Sequence, residues 1–525
     1  MEKLYNNIIL PDNFADSPSN ALDVPYLNSP PDIIDISVGR QLFVDSFLIE
    51  HTDLVPAYHN AVKFEGNPIL SPETELEIAQ SPVACPKSGG VWFDEDDKKF
   101  KMWYEAGWLR HMCYAESRDG IHWERPELDV RKGTNIILDY NGYDKDRYFE
   151  NSTYLRPDST TVFIDYNAPK TEKYKLFLRN PGGKSPGFVA VSADGIHFND
   201  FRETGPLFDR STIFYNPFRK KWVYSIRDCW PINDDPKKWF RARNYRECDN
   251  LLDGAAWSSD DVHKWMCCDE LDKPNPYIGM PPQLYNVDCV GYESIMLGMF
   301  QIMYGPENCF CEAAGVPKIT ELIPMYSRDG YHFSRPCRES IINASMHKGA
   351  WDRGYVQSVG GVTVINGDEL WIYYIGFGGD EKYAGLHWSE NGIYRNGSTG
   401  IAKLRRDGFV SMDGNGTLLT RKMTMSGKSD MFINAVGTVS AEILDAEGTI
   451  MAVSDSFNGN STKARLNFDK FVISSLNGQV FRIRFKVDGE LYSFGFADRN
   501  GDFGGASAAG EVKGSNSSSK SLYLT

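Results

Sequence analysis

The heptapeptide Ser117-Arg118-Asp119-Gly120-Ile121-His122-Trp123 decides the fold, because it returns four more times along the chain. Its counterparts, two of them degraded, begin at Ser192, Ser258, Ser327 and Ser389, in steps of 75, 66, 69 and 62 residues. Asp-Gly favours tight turns, since glycine accepts positive φ at little cost and the carboxylate can accept nearby backbone N–H groups. A repeat of this length between strand-like segments is typical of a propeller blade.

The histidine of the repeat is predicted to be structural. His122, His197 and His332 occupy equivalent positions in three copies. A catalytic residue would not recur once per structural unit. We therefore assign these histidines to the turns and not to a site.

Pairs of apolar segments separated by a turn lie around the copies of the repeat. Blade one offers Val91 to Asp94 before Phe100 to Glu105, and blade five offers Val362 to Ile365 before Leu370 to Tyr374. Overlaid from residue 81 onward, these pairs predict an all-β fold with a five-bladed β-propeller. Blade four, Val287 to Tyr304, has no obvious turn residues, so the sequence leaves its register open.

Changes in amino-acid composition and hydrophobic pattern divide the chain into four parts. Residues 1–38 are rich in Pro, Asn, Asp and Ser and are expected to form an extended arm, and residues 39–412 form the propeller. Residues 413–500 alternate with period two, which predicts a β-sandwich, and residues 501–525 are expected to form a flexible tail. The strand from Arg40 to Ile49 is expected to pair into the last blade and close the ring.

The amino-acid composition excludes some classes of binding partner. A formal charge of −15 and a pI near 5.2 argue against nucleic acid or an anionic membrane, and no apolar run approaches the length of a membrane span. The start of the chain shows no secretory signal, so we expect a cytoplasmic protein, although a secreted chain without its signal would look the same. Ten scattered Cys indicate reduced thiols and no zinc site. We expect no cofactor, and leave open a calcium ion in the tunnel and the oligomeric state.

The inner strands of a propeller converge on a central tunnel, so side chains where these strands begin should meet at one mouth. The overlay places Lys87, Asp158 and Asp209 at equivalent mouth positions in blades one to three. Asp288 and Gln357 lie near the starts of the fourth and fifth inner strands. These five residues are the first part of the predicted site.

Further charged and aromatic residues are predicted for the same rim. The ends of the second strands and the loop before blade five contribute Glu105, Arg179, Arg227, Asp228, Trp230 and Trp351. Glu293 is a conditional member of the site. It points into the tunnel if blade four lacks a hairpin turn there, and it is solvated if it lies in that turn.

A mouth rich in carboxylates, cations and aromatic rings suits glycosidic bond cleavage. A glycosidase needs one carboxylic acid to protonate the leaving oxygen and one carboxylate to attack or to activate water. We assign the acid to Asp288 or Glu293 and its partner to Asp209 or Asp158. Sugar binding by cation and ring contacts is assigned to Arg179, Arg227 and Trp230. The alternative is that the aspartates only pair with the arginines.

Five blades of the Ser-x-Asp-Gly-x-x-Trp type and a C-terminal β domain resemble the five-bladed propeller glycosidases of glycoside hydrolase family 32. They resemble families 43, 68 and 130 more loosely. The likeness spans about residues 40 to 500. Glu247-Cys248 matches the family 32 acid/base pair in letters, Tyr215-Asn216-Pro217 and Arg227-Asp228-Cys229 are partial echoes of its other motifs, and its Asn-Asp-Pro-Asn segment is absent. The resemblance implies a divergent glycoside hydrolase.

Three functions follow from these residues. The first is a glycoside hydrolase that cleaves a terminal glycosidic bond with paired carboxylates. The second is a phosphorylase, which needs only one carboxylate and a cationic pocket for phosphate. The third is a non-catalytic glycan-binding propeller, which we expect if every mouth carboxylate is tied to an arginine. The sugar, the linkage and the stereochemical outcome stay open.

Overall fold

A computed structural model describes residues 1–11, 23–79, 81–138, 157–179, 183–232, 235–387 and 390–512. It confirms an all-β chain with five propeller blades and a further sheet built mainly from C-terminal residues. Blade one contains Ala84–Cys85, Val91–Asp94, Lys99–Ala106 and His111–Ser117. Blade two contains Ser159–Ile164, Tyr174–Arg179, Ser185–Ser192 and Asn199–Leu207. Blade three contains Thr212–Asn216, Lys221–Ile232, Asp235–Cys248 and His263–Cys267.

Blades four and five borrow strands from distant parts of the chain. Blade four contains Gln283–Glu293, Ile295–Gly305, Ile319–Ser327 and the late strand Ala506–Ser507. Blade five contains Gly354–Ser358, Val364–Asn366, Glu369–Phe377, Gly397–Arg405, the early strand Val62–Lys63 and the late strand Glu511–Val512. Ala506–Ser507 and Glu511–Val512, predicted as part of a flexible tail, are therefore paired into the propeller, and Phe503 packs against Phe432 of the C-terminal sheet. Residues 513–525 lie outside the described residues.

The early strand that joins the last blade is not the predicted one. Val62–Lys63 pairs with Gly397–Arg405, whereas Gln41–Leu42 pairs with a strand of the C-terminal sheet. Phe43 explains the difference, because its ring contacts Phe485 and Phe494 in the core of that sheet. The prediction that Arg40 to Ile49 closes the ring was therefore wrong in its segment.

The C-terminal sheet has ten strands and its own hydrophobic core. The strands are Ile34–Asp35, Gln41–Leu42, Ile49–Thr52, Val55–Tyr58, Val410–Thr420, Met423–Thr424, Asp430–Asp445, Ile450–Val453, Phe457–Leu466 and Phe481–Ala497. Residues 34–58 thus belong to this sheet by pairing, although the sequence placed most of them in the propeller. That the sheet forms a sandwich stays a prediction.

The remaining elements are short. A hairpin joins Glu2–Lys3 to Ile9–Leu10. Within the ranges given above, the helices are Pro25–Asn28, Glu75–Ile78 and Asn308–Ala314, with single 3₁₀ turns at Lys87–Gly89, Lys170–Glu172, Ser259–Asp261, Glu381–Tyr383, Gly392–Tyr394 and Ile473–Leu476. The helix Asn308–Ala314 is an insertion between two strands of blade four, and it reaches the tunnel mouth.

The repeated turn is built as its sequence predicts. Asp119 accepts hydrogen bonds from the backbone N–H groups of Ile121 and His122, and its second oxygen lies 2.7 Å from the His122 ring nitrogen Nδ1. The copies at Asp194 and Asp329 repeat this geometry. The structural assignment of the three histidines is confirmed.

Two of these turns, at Gly120 and Gly195, also link neighbouring blades. Trp103 in blade one donates its indole N–H to the carbonyl of Gly195 in the turn of blade two, at 2.7 Å. The Tyr373 hydroxyl in blade five donates in the same way to Gly120 in the turn of blade one, at 3.0 Å. The repeat therefore shapes the turn after the third strand of these blades and the contact with a neighbouring blade.

A buried ion network joins the propeller to the C-terminal sheet. Arg406 is fully buried and lies 3.0 Å from Glu293 and 2.8 Å from Glu511. Arg40 lies 3.0 Å from Asp407, and the backbone N–H of Arg40 donates to Glu293. These five residues come from four separate parts of the chain, which this network holds together.

We expect the substitution Arg406→Met to lower the free energy of unfolding by about 3–5 kcal/mol, because it leaves the buried Glu511 carboxylate without its cation and the buried Glu293 carboxylate with Arg40 alone. The matched control is Arg465→Met, which removes an ion pair whose arginine side chain is 59% exposed. Such exposed pairs contribute less than about 1 kcal/mol. Chemical denaturation of both variants measures the difference, and equal losses would contradict the role of the network.

Candidate active site

A cavity of about 400 Å³ opens at the end of the tunnel where the inner strands begin. Asp158 precedes the inner strand of blade two, and Asp209 precedes that of blade three. Tyr285 and Tyr355 come from the starts of the inner strands of blades four and five. The volume is in the range of small-molecule sites, and side chains from several blades converge on it.

Four cations line this cavity: Arg210, Arg227, Arg241 and Lys318. Arg227 lies 3.0 Å from Asp209, and Arg210 lies 3.5 Å from Asp158. Both aspartates predicted at the mouth are thus next to arginines.

The other two cations lack such a partner. Arg241 donates to the amide oxygen of Gln283 at 2.7 Å, and Lys318 donates to Asn308 at 2.5 Å and to the Tyr285 hydroxyl at 3.2 Å. Within the described part of the chain, neither Arg241 nor Lys318 has a carboxylate within ion-pair distance. Their charge is available to an anionic group in the cavity.

The two mouth aspartates differ in their proton affinity. Burial raises the pKa of Asp158 above its ordinary value, in spite of the neighbouring charges of Arg210 and Arg179. Burial would also raise the pKa of Asp209, but Arg227 and Arg210 outweigh it and lower that pKa. The side chain of Asp209 is 36% exposed, whereas that of Asp158 is 11% exposed. One carboxyl therefore tends to hold its proton while its neighbour stays ionised.

Aromatic rings form one wall of the cavity. Trp108 stacks on Tyr394 with ring centroids 3.9 Å apart and an interplanar angle of 4°. Behind this wall, the Lys87 ammonium lies 3.9 Å from the Trp108 ring centroid and 2.5 Å from Glu105. Burial raises the pKa of Glu105 and lowers that of Lys87. These two predicted residues support the wall and do not line the cavity.

Asp288 and Gln357 lie inside the tunnel. Asp288 accepts hydrogen bonds from Ser358 at 2.5 Å and from Asn286 at 2.8 Å, and burial raises its pKa to about 6. Gln357 is fully buried and donates to Ser88. Neither side chain is among those that line the mouth cavity.

Glu293 meets neither expectation from the sequence. It lies at the hairpin between Gln283–Glu293 and Ile295–Gly305, yet it is fully buried. Its carboxylate belongs to the ion network with Arg406 and Arg40, away from the residues of the mouth cavity. The structure therefore does not bring Glu293 to the site.

The other predicted residues support the rim or lie apart from it. Arg179 is fully buried and lies 3.1 Å from Asp158, and Asp228 accepts from Lys184 at 3.0 Å. Trp230 is buried within blade three, where its N–H donates to Asn244, and Trp351 packs on Tyr374. Asp158, Asp209 and Arg227 are thus the predicted residues that line the cavity.

The sequence reasoning missed most of the remaining lining. Tyr285 was missed because the inner strand of blade four begins at Gln283 and not at Val287. Arg210 directly follows the predicted Asp209, and Tyr355 lies two residues before the predicted Gln357 on the fifth inner strand. Both residues are therefore close to positions that the overlay of the blades predicts. Lys318 lies between the helix Asn308–Ala314 and the next strand, and no repeat pattern covers that insertion.

Neither a metal site nor a membrane span emerges from the described ranges. No group of three or more His, Cys, Asp and Glu side chains within them could hold a metal ion. None of the helices in those ranges is long and apolar enough to cross a membrane. We assign no metal to the cavity.

Comparisons with known proteins give structural matches alone. No family profile matches the chain, and no curated protein matches it. Among solved structures, a glycosyl hydrolase from Bacteroides ovatus is 11% identical with a TM-score of 0.43, over 70% of this chain and 97% of that one. A family 43 arabinoxylan arabinofuranohydrolase from Bacillus subtilis is 12% identical with a TM-score of 0.36, over 84% and 99%.

A third match concerns glycoside hydrolase family 130, described as mannoside phosphorylases that include glycoside hydrolases targeting β-1,2 mannosidic linkages in Candida mannan. It is 12% identical with a TM-score of 0.40, over 68% of this chain and 97% of that one. The likeness to family 32 stays an expectation from the sequence. We argue the function from the residues of the cavity alone.

We expect Asp288→Asn to change how stability depends on pH. The folded pKa is raised from 3.8 to about 6, so the folded state holds an extra proton between these values, and this group's stabilising contribution is lost as the pH rises through them. The stability of Asp288→Asn relative to the wild type should rise by about 2 kcal/mol over that window. Urea unfolding at both ends of the window measures it, and a constant difference would contradict the raised pKa.

Proposed function

We propose that the mouth cavity cleaves a terminal glycosidic bond by hydrolysis, with Asp158 as the acid and Asp209 as the ionised carboxylate. The observation that carries this proposal is the presence of two aspartates in one cavity, Asp158 nearly buried against Arg179 and Asp209 partly exposed beside Arg227. Their pKa values are displaced in opposite directions, as these surroundings lead one to expect. Two carboxyls whose environments separate their pKa values are the usual basis for dividing acid from base. This keeps two of the residues predicted from sequence and gives each a distinct role.

Asp158 is suited to protonate the leaving oxygen. Its carboxyl is nearly buried, and Arg179 fixes its position from behind. Burial keeps a proton on this group at a higher pH than on an ordinary aspartate. The departing sugar or alcohol would receive that proton.

Asp209 is suited to face the positive charge that develops at the anomeric carbon. It stays ionised beside Arg227, and its exposed edge is accessible from the cavity. A fixed carboxylate opposite an oxocarbenium-like transition state lowers the barrier, because its charge is already in place. The stacked rings of Trp108 and Tyr394 supply an apolar wall for a sugar.

A second candidate is phosphorolysis, which the unpaired charges of Arg241 and Lys318 favour. Phosphate would take the place of water as the attacking group, and its charge would be balanced by these cations. The same cations could instead bind the carboxylate of an acidic sugar. A non-catalytic binding propeller is the remaining alternative, because both mouth aspartates do lie beside arginines.

Asp158→Asn should lower cleavage of methyl glycosides by about 10²–10⁴-fold, since their leaving group needs a proton. Nitrophenyl glycosides need almost no protonation, so the same variant should lose less than about tenfold on them. Asp209→Asn is the matched control, and it should impair both substrate classes alike. Initial rates on a panel of sugars measure this. A panel that binds without any turnover would indicate a binding protein.

Phosphate dependence separates hydrolysis from phosphorolysis. A hydrolase should release free sugar at the same rate with or without added phosphate, with sulfate as the ionic control. Turnover that needs phosphate and yields a sugar phosphate would instead establish the phosphorylase.

Arg241→Met should raise the KM of a uronide about tenfold or more, as expected for loss of a charged hydrogen bond, and leave the KM of the neutral glycoside unaffected.

A further inference from the structure

We propose that Tyr285 is the base of this cavity: it takes the proton from the water that attacks the anomeric carbon. The inference rests on the proposed hydrolysis and adds a catalytic residue to it. Asp209 is a poor candidate for this task, because Arg227 holds its carboxylate at 3.0 Å and Arg210 lies nearby. Its basicity is reduced by the charges that keep it ionised.

The Tyr285 oxygen accepts two hydrogen bonds. The Lys318 ammonium donates to it at 3.2 Å, and the Tyr355 hydroxyl donates to it at 3.4 Å. Asn308 holds the ammonium in place from its other side, at 2.5 Å. An oxygen that accepts from a cation and from a second phenol is in a setting that stabilises the phenolate.

The charged groups around the ring act mainly in the same direction. Lys318 and Arg210 face the Tyr285 oxygen, the guanidinium of Arg241 lies 5.9 Å from its ring centroid, and Arg243 donates to its carbonyl. The group that opposes them is the Asp209 carboxylate. Burial would raise the pKa of Tyr285, but Lys318 and Arg210 outweigh it and lower the pKa to about 8.

The neighbouring phenols of Tyr355 and Tyr394 differ from Tyr285 in the direction of their pKa shifts. Burial raises the pKa of Tyr355 well above its ordinary value, and it raises that of Tyr394 as well. The Tyr355 hydroxyl donates a hydrogen bond to the Tyr285 oxygen and so stabilises the phenolate form of Tyr285. At neutral pH Tyr285 therefore carries about a hundredfold more phenolate than an ordinary tyrosine.

The step balances with groups that are present. Water loses a proton to the Tyr285 phenolate as its oxygen bonds to the anomeric carbon. The glycosidic C–O bond breaks, and the leaving oxygen takes the proton of Asp158. The next cycle begins when the Tyr285 phenol releases its proton and the Asp158 carboxylate regains one, both through solvent.

The first test needs no substrate. Ultraviolet difference absorbance of the tyrosinate should show one tyrosine of the wild type ionising near pH 8, a step that is absent in Tyr285→Phe. Tyr394→Phe is the matched control, because it removes another phenol facing Lys318 and should keep the step. Lys318→Met should move the step to higher pH, and Lys318→Arg should restore it. A step that survives in Tyr285→Phe would overturn the inference.

The second test uses nitrophenyl glycosides, which do not depend on the proton of Asp158. Wild-type kcat should rise with pH and level off above about 8, because the phenolate is the active form. Tyr285→Phe should lose about 10²-fold or more of kcat together with the rise of kcat with pH. Tyr394→Phe alters the wall of the cavity and so can change the absolute rate, but it should still show the rise of kcat with pH. Unchanged kcat and an unchanged limb in Tyr285→Phe would overturn the base role.

The two tests separate failure of this inference from failure of the proposed function. If no glycoside is cleaved, hydrolysis fails and the base role fails with it, while the ionisation step near pH 8 still reports the environment of Tyr285. If the wild type hydrolyses glycosides but Tyr285→Phe does so equally well, the base role alone fails. Phosphate-dependent turnover also overturns the base role, since phosphate attacks without giving up a proton.

Discussion

The buried contact of Arg406 with Glu293 and Glu511 is the constraint on which the rest of the structure depends. Arg406 follows the last propeller strand, Glu293 ends the inner strand of blade four, and Glu511 begins the strand that joins blade five. A charge buried this deeply is stable only while its partners stay in place. The network therefore couples the closure of the propeller to the fold of the C-terminal sheet. It also anchors one end of the inner strand of blade four, whose other end carries Tyr285 at the mouth.

At the opposite end of that strand, unequal pairing of charges separates the roles of similar groups. The two mouth aspartates both lie beside arginines, yet one is more deeply buried and the other more strongly compensated. Lys318 has no carboxylate partner in the described ranges, so its charge acts on a tyrosine instead. Burial and local charge compete at every group in the cavity, and the balance differs from one side chain to the next. This is how one small cavity can contain an acid, an ionised carboxylate and a reactive phenol.

The accuracy of the sequence-based site followed the accuracy of the strand register. In blades two and three the hairpin turns are clear, and Asp158 and Asp209 were placed at the mouth where the structure has them. In blade four no turn residue marks the hairpin, because Glu293 adopts a positive φ that glycine usually occupies. The predicted start of that strand was therefore late, which favoured Asp288 and overlooked Tyr285. Glu293 stayed a catalytic candidate in the sequence because its buried partner Arg406 lies 113 residues away, and no local pattern indicates that pairing.

The sequence by itself determined the repeating unit, the number of blades and the turn that follows the third strand in blades one to four. These features depend on local chemistry, since Asp, Gly and strand-like apolar segments act within a few residues of one another. The tertiary structure alone decided which strands complete blades four and five, and which charges meet at the mouth. The strands that complete the two blades pair with segments more than 100 residues away in sequence. The charges at the mouth meet across turns and between blades, and the proton affinities of Asp158, Asp209 and Tyr285 depend on burial and neighbours that exist only after folding. No local pattern encodes that environment, so the chemistry of the cavity became visible only with its three-dimensional arrangement.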